Sequence, residues 1–507
     1  ELAWPVSYVM EFTSRDGIYF KMGPCAQNAL RVIAPSETLA TPAVHLGYVK
    51  SEFDAAVQAM HEHIRRSVLP KRDPNKAYRI QCLMPGDRQT FYHDDGFNET
   101  NIKKSMEVAA AAGVELFIVD GPTWAEGYGN WIPKKKWFPN GMDPVREYAH
   151  QKRMLFGVYA EPEAGRGDWT QTAAYKEHPA WFEQVILNLA IPEAASYMES
   201  EWDRMIGNLK LDIYRHDQNC VGRGDGTATV RGGFKESDYW RHYEAFFGMT
   251  ERIARKYPNV ILQQASGGGT RLDLGTLGCW HEHFSSDENR YPHVQRMAAG
   301  LSVYLPPEVI VTPNGMYVPH DAPDLITMLR SAYTLGNTPM IYNEAMPPTL
   351  EELKAEDRVN YLHSANLYKE FMRPILPTCR VWHHAPVNAT GGVESGGWFA
   401  TEFTSPDKKK GWATIIRLGD KDTEDHILNQ HASPNEVARI IRQDLPKNPD
   451  DTYVIKPRGL DSKRKYAVTS DNSGMTQVMD GATLIRDGIA VRLRCVPLSE
   501  LLLFEAK

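Results

Sequence analysis

Cysteine is scarce. Six occur among 507 residues, at positions 25, 82, 220, 279, 379 and 495, and no two are spaced as CxxC. A small disulfide-stapled scaffold is therefore excluded, and the thiols read as buried or free. Positive charge is not in excess either. With 57 Lys and Arg against 64 Asp and Glu the formal net charge is −7, so nothing electrostatic draws the chain to nucleic acid or to an anionic membrane. No apolar run approaches the ~20 residues of a membrane-crossing helix. No GxGxxG follows a strand and opens a helix, which removes the signature of dinucleotide binding. Gly267-Gly268-Gly269 lacks the GK[ST] ending of a phosphate-binding loop. There is no internal repeat and no low-complexity tract. The first residue is Glu1, with no signal-type segment after it, so the chain reads as trimmed and its compartment is not legible.

What is present is an ordinary folded composition, 42% hydrophobic, 24% charged and 10% aromatic. Patterning divides the chain into three. Residues 1–75 are a mixed region: alternating runs at 6–10 and 43–49 predict strands, and 51–68 predicts a helix with Phe53, Val57, Met60 and Ile64 along one stripe. From 76 to 376 the rhythm is strand, loop, helix. Strands are expected at 78–82, 115–120, 154–159, from 211 onward and at 260–263. Helices are expected at 98–113, 143–152, 196–209 and 238–256, the first capped by Thr100 and ended by Gly113. Such sustained alternation predicts an α/β fold, a parallel sheet closed as an eight-stranded barrel, with an open doubly wound sheet as the alternative. Residues 377–507 mostly lose the helical pattern. Strand-like runs at 412–418, 465–469, 489–493 and 499–504 predict a C-terminal antiparallel β domain.

In a barrel of this type the reactive groups come from the ends of several strands and the loops after them. The polar residues expected there are Asp120, Glu161, Glu163, Arg215, Asp217, Asn219, Gln263, Gln264 and Asp287. One Asp at a strand end reads first as a loop or helix cap, whereas several at successive strand ends read as a site. Carboxylates with Trp124, Trp131, Trp169 and Trp280 nearby suit a sugar, because hydroxyls need charged acceptors and a pyranose stacks on rings. Two carboxylates from different strands also suit glycoside hydrolysis, one as nucleophile and the other as acid and then base. His281-Glu282-His283 places two imidazoles on one side of a strand. The spacing is not HExxH and no third ligand is indicated, so neither metal nor other cofactor is expected. Lys408-Lys409-Lys410 reads as a solvated turn, and Lys134-Lys135-Lys136, in the loop after the second strand, as surface, with attraction of an acidic glycan as the alternative.

The string Leu211-Asp212-Ile213-Tyr214-Arg215-His216-Asp217-Gln218-Asn219 resembles the nucleophile segment of family 36 glycoside hydrolases, the melibiase-type α-galactosidases, roughly V-D-Y-I-K-W-D-M-N. Four further segments agree in order. Residues 115–121, ELFIVDG, resemble E-L-F-V-L-D-D-G-W, and residues 156–163, FGVYAEPE, resemble F-G-L-W-V-E-P-E. Residues 266–275, SGGGTRLDLG, resemble S-G-G-G-R-F-D-L-G, and Ser286-Asp287 resembles the start of the S-D-N-T-D acid/base segment. The resemblance runs from about residue 30 to the end. It implies a retaining exo-α-glycosidase acting on terminal galactosyl-type residues of an oligosaccharide or glycoconjugate. It also implies that the N-terminal residues are the last part of a larger β-sandwich.

On this resemblance Asp217 is the nucleophile and Asp287 the acid/base. Asp120, Arg215 and Asn219 hold sugar hydroxyls, and Trp131, Glu161, His216, Gln264, Gly267 and Arg271 complete the expected sugar site. The departures are Val119, read as standing where the family has the first Asp of its pair, Arg215 for Lys, His216 for Trp, and Gln264 near the family's Cys, with Thr270 as an insertion. They suggest a substrate altered at C2 or C6: a galactosamine or N-acetylgalactosamine, a 6-deoxy sugar or pentose, or a uronic acid. Two alternatives stand beside hydrolysis. One is transglycosylation of the raffinose-synthase kind, the other a non-catalytic carbohydrate-binding protein. Self-association into a homo-oligomer is left open.

Overall fold

The computed structural model describes residues 8–13, 19–24, 28–84, 97–127, 129–163, 170, 172–183, 186–218, 228–286, 293–314, 324–342, 346–385, 397–418, 451–494 and 497–507. Eight parallel strands close into a barrel: Gln81–Met84, Leu116–Val119, Leu155–Ala160, Ile213–His216, Ile261–Gln264, Glu282–Phe284, Ile310–Asn314 and Thr338–Tyr342. They follow one another around the ring in sequence order, and the eighth pairs with the first. Strand alternation separates two cores. Leu83, Leu116, Ile118, Ile213, Ile261, Phe284, Val311 and Met340 fill the interior. Cys82, Phe117, Val119, Val158, Tyr214 and Leu262 point outward into the helix layer. Gly157, on the third strand opposite Ile213, carries no side chain for a steric reason: a Cβ there would lie 2.2 Å from the Ile213 methyl and 2.4 Å from its carbonyl oxygen.

The expected strands are present but begin one to three residues later. Tyr78 has φ 55°, which cannot continue a strand, so the first one starts at Gln81. Lys210, at φ 50°, ends the helix Pro192–Leu209, and Leu211 N–H still bonds to Ile206 O, so the fourth starts at Ile213. The strands extend instead over the polar Arg215, His216 and Gln264, each of which makes a side-chain hydrogen bond inside the fold. The helix expected at 98–113 is Glu99–Ala111. Its cap is Asn98, which accepts from Asn101 N–H, rather than Thr100, which lies inside the first turn.

The run 43–49 has the alternation of a strand but forms none, and Leu46 and Tyr48 are 82% and 88% exposed. The next helix, Phe53–Ser67, buries Val57 and Ile64 of the expected stripe, while Phe53 at its first turn stays half exposed. Further toward the N-terminus, Tyr8–Thr13 and Tyr19–Pro24 form an antiparallel hairpin.

After the barrel, six antiparallel strands form one sheet in the order Arg380–Ala385, Trp398–Thr404, Lys410–Arg417, Ser499–Ala506, Lys465–Ser470 and Thr476–Asp480. Residues 481–487 are a helix within this region. The sheet is anchored on the barrel helix Leu325–Tyr333: Trp412 Nε1 donates to Thr334 O at 2.8 Å, and Arg330 reaches Ser499 O. Among the described residues no helix is long and apolar enough to cross a membrane.

Candidate active site

Asp217 directly follows the fourth barrel strand, and its backbone N–H donates to Ala160 O at the end of the third, 3.0 Å away. The residue is only 6% exposed. Its Oδ1 accepts two backbone N–H groups, from Gln218 at 2.7 Å and Gly267 at 2.8 Å. Gly267 reaches it because Ser266, Gly267, Gly268 and Gly269 form a left-handed turn with φ of 46°, 56°, 70° and 98°. Side chains beyond glycine disfavour that conformation. The turn also rests on the exit of the sixth strand, since a Cβ at Gly269 would lie 2.3 Å from Ser285 O.

Two residues before Asp217, on the same face of the strand, stands Arg215. Its Nη1 donates to Gln263 Oε1 at 2.7 Å, its Nε lies 3.4 Å from Asp120 Oδ1, and the guanidinium sits 4.1 Å over the Phe284 ring. Asp120 leaves the second strand with its N–H on Met84 O. Glu161, after the third strand, is buried and accepts from the Tyr159 hydroxyl. Acidic and basic groups thus gather at the C-terminal rim from the ends of successive strands.

A family profile, that of the melibiases, matches residues 38–322, more than half of the chain. The chain belongs to the melibiase family. An α-galactosidase of Escherichia coli is 25% identical over 414 residues, which cover 77% of this chain and 54% of that protein. One of Lactobacillus acidophilus is 24% identical over 307 residues, covering 55% and 40%. The chain therefore spans about half the length of these curated relatives. A family 36 α-galactosidase of Geobacillus stearothermophilus, solved in complex with raffinose, shares the fold with a TM-score of 0.79 at 18% identity, over 98% of this chain and 65% of its own.

The melibiase motifs fall on the barrel in a way that changes several expectations. Val119 does not stand at a sugar-reading position: it faces outward beside Phe117 in the helix-layer core. Counted from Glu115, the family's Asp pair falls on Asp120 and Gly121, the latter at φ 66°, so the second carboxylate of the pair is the missing one. His216 is turned away from the barrel interior and packs against Trp202 and Trp280. Gln264 is likewise outward and donates to Ser266 Oγ at 2.5 Å, at the base of the glycine turn. Trp131 is buried against Trp124 and Tyr159, with ring centroids 6.0 and 6.3 Å away, rather than lying on an open surface. Asp287 and Asn219 lie outside the described residues.

Arg271 is not brought to the mouth. It grips Glu163 with both guanidinium nitrogens, at 2.5 and 2.7 Å, and lies 4.2 Å over the Phe246 ring. His216 Nε2 meets the same carboxylate at 2.7 Å. Burial alone would raise the pKa of Glu163. Arg271, His216 and His242 outweigh it and hold the carboxyl well below its usual range. Burial also lowers His216, with Glu163 opposing in part. Glu163 therefore clamps His216, the residue before Asp217, to Arg271, two residues after the glycine turn.

His281 and His283 point outward, and burial lowers them to about 4 and about 3. Glu282 between them points inward to Gln81 and Gln263, so the three do not converge. Among the described residues no group of His, Cys, Asp and Glu could hold a metal ion.

Proposed function

We propose that this chain hydrolyses terminal α-galactosyl-type residues by a retaining mechanism, with Asp217 as nucleophile and Asp287 as acid and then base. The observation that carries the reading is the Asp217 carboxylate at a barrel strand end, fixed through one oxygen by the N–H groups of Gln218 and Gly267. A nucleophile must be held in line with the anomeric carbon, and two backbone donors do this without a mobile side chain. Asp287 is two residues beyond Ser285, whose carbonyl touches the glycine turn that holds Asp217. That contact supports convergence of the two acids on one bond.

Attack by Asp217 on the anomeric carbon breaks the glycosidic bond while Asp287 protonates the leaving oxygen. Asp287 then takes a proton from a water whose oxygen attacks the anomeric carbon and breaks its covalent bond to Asp217, which releases the sugar with its original anomeric configuration. Asp120 and Arg215 hold sugar hydroxyls. With Gly121 in place of the second Asp, one carboxylate fewer faces the sugar, which supports a substrate with a hydroxyl missing or replaced. His216 and Gln264, turned outward, lend no support to altered recognition at C2.

Aryl α-glycosides of galactose, its 6-deoxy and pentose analogues, N-acetylgalactosamine and galacturonic acid, assayed side by side, test both parts. Turnover of at least one with retention by NMR supports the reading, and turnover unchanged in Asp217→Asn removes it. A clear preference for plain α-galactoside removes the altered-substrate part alone. Transfer to added sugar in preference to water would instead make the chain a transglycosylase.

A further inference from the structure

The polar layer beneath Arg215 has a direction built into it. Four buried side chains from four strands meet at the barrel axis: Gln81, Arg215, Gln263 and Glu282. The Glu282 carboxylate accepts at Oε2 from Gln81 Nε2 at 2.5 Å and from Gln263 Nε2 at 3.1 Å. Gln263 Nε2 also donates to Gln81 Oε1 at 2.8 Å. Burial raises the pKa of the Glu282 carboxyl, yet its Oε2 accepts from both glutamines and so turns both amide nitrogens toward itself. The Gln263 carbonyl oxygen is thereby left facing the other way, where it accepts from Arg215 Nη1 at 2.7 Å. Flipping that amide would set NH2 against guanidinium and oxygen against carboxylate.

We infer that Glu282, acting through Gln263, is a positioning residue that fixes the plane and reach of the Arg215 guanidinium beside Asp120. The inference rests on the reading that Arg215 and Asp120 hold the sugar. It also accounts for a departure from the melibiase motif, which has Lys where this chain has Arg215. A lysine ammonium has donors that rotate to suit any acceptor, whereas a planar fork must be aimed. Phe284, 4.1 Å beneath the guanidinium, confines it to one plane, and Gln263 stops it from sliding within that plane.

The test is a kinetic cycle on the preferred aryl α-glycoside. Glu282→Gln keeps the shape but adds an amide that no longer dictates which way Gln263 points. Gln263→Met removes the oxygen that Arg215 uses. In the wild-type background each is expected to raise KM and to lower kcat/KM by roughly ten- to a hundred-fold, the scale of a binding group displaced by about an ångström. In an Arg215→Lys background the same changes are expected to cost less than about three-fold, because the ammonium needs no aiming. Equal losses in both backgrounds, or wild-type kinetics in the single variants, would overturn the inference. So would failure of both variants to fold, which would assign the layer to stability alone. Asp217→Asn separates the two levels. If it abolishes turnover while Glu282→Gln and Gln263→Met behave as wild type, only this inference falls. If it does not, the reading beneath it falls.

Discussion

Gly267 and Asp217, fifty residues apart in sequence, are joined by a 2.8 Å hydrogen bond from the glycine N–H to the carboxylate Oδ1. The bond exists because the chain turns left-handed for four residues after the fifth strand, and three of the four are glycine. In the sequence the triplet is a weak signal: without the GK[ST] ending it is no phosphate loop, and it reads as a close approach of backbone to ligand. In the structure its task is to hold an acid.

Gly267→Ala tests that task. The alanine must adopt φ near 56°, at a cost of about 1–2 kcal/mol, and its Cβ would lie 3.4 Å from Gln218 O, which is ordinary contact. The fold should therefore survive with a modest loss of stability. The N–H should move off Asp217, lowering kcat by about ten-fold or more while KM changes little. Thermal unfolding and steady-state kinetics on the same preparation check both halves. A stability loss with unchanged kcat would mean that the bond does not steer the nucleophile.

Asp217→Ala should be inactive on aryl α-glycosides yet recover turnover when azide is supplied, because a small anion can attack from the space the carboxylate leaves. The product should be the glycosyl azide of inverted configuration, identified by NMR. Activity that returns with retained configuration would place the nucleophile on another residue.

Much of the barrel was legible because alternating strands and helices leave a periodic trace, and the strand ends could be found to within about three residues. Side-chain direction was harder. His216 and Gln264 lie in a nearly all-buried stretch where both faces are covered, so polarity did not reveal which face each residue takes. Counting by twos from the interior Ile213 would have placed Arg215 and Asp217 inside and His216 outside. The clamp by Glu163 was not legible either, since it joins residues 108 positions apart and nothing in the local pattern marks Arg271 as its partner. The run 43–49 shows the opposite error. Its alternation is real, but only Val44 makes a single β-bridge, and the ladder of hydrogen bonds that would make a strand does not form.

Gly157→Ala should be among the most damaging single-methyl additions in the barrel. The new Cβ would meet not only the Ile213 methyl at 2.2 Å but also the Ile213 carbonyl oxygen at 2.4 Å. Overpacking of this kind costs about 1–3 kcal/mol or more. Trimming the neighbour with Ile213→Ala removes the methyl but not the oxygen, so the double variant should recover little. Denaturant unfolding of the two singles and the double measures this. Full recovery in the double would show that the backbone clash is relieved by a strand shift.

Stability should fall as the pH is lowered from 7 toward 5, and His61 and His283 are the groups to follow. Burial lowers both to about 3, whereas in the unfolded chain each titrates near 6.5. Below that value the unfolded chain binds more protons than the folded one, so each imidazole draws the equilibrium toward unfolding. At pH 5 the effect is about 2 kcal/mol for each. It continues to grow until the pH reaches the folded values near 3. His283→Gln removes one of these protons. Whatever the change costs at pH 7, the fall in stability between pH 7 and 5 should be shallower by about 2 kcal/mol than in wild type. Parallel curves of unfolding free energy against pH would show that His283 is already charged in the fold.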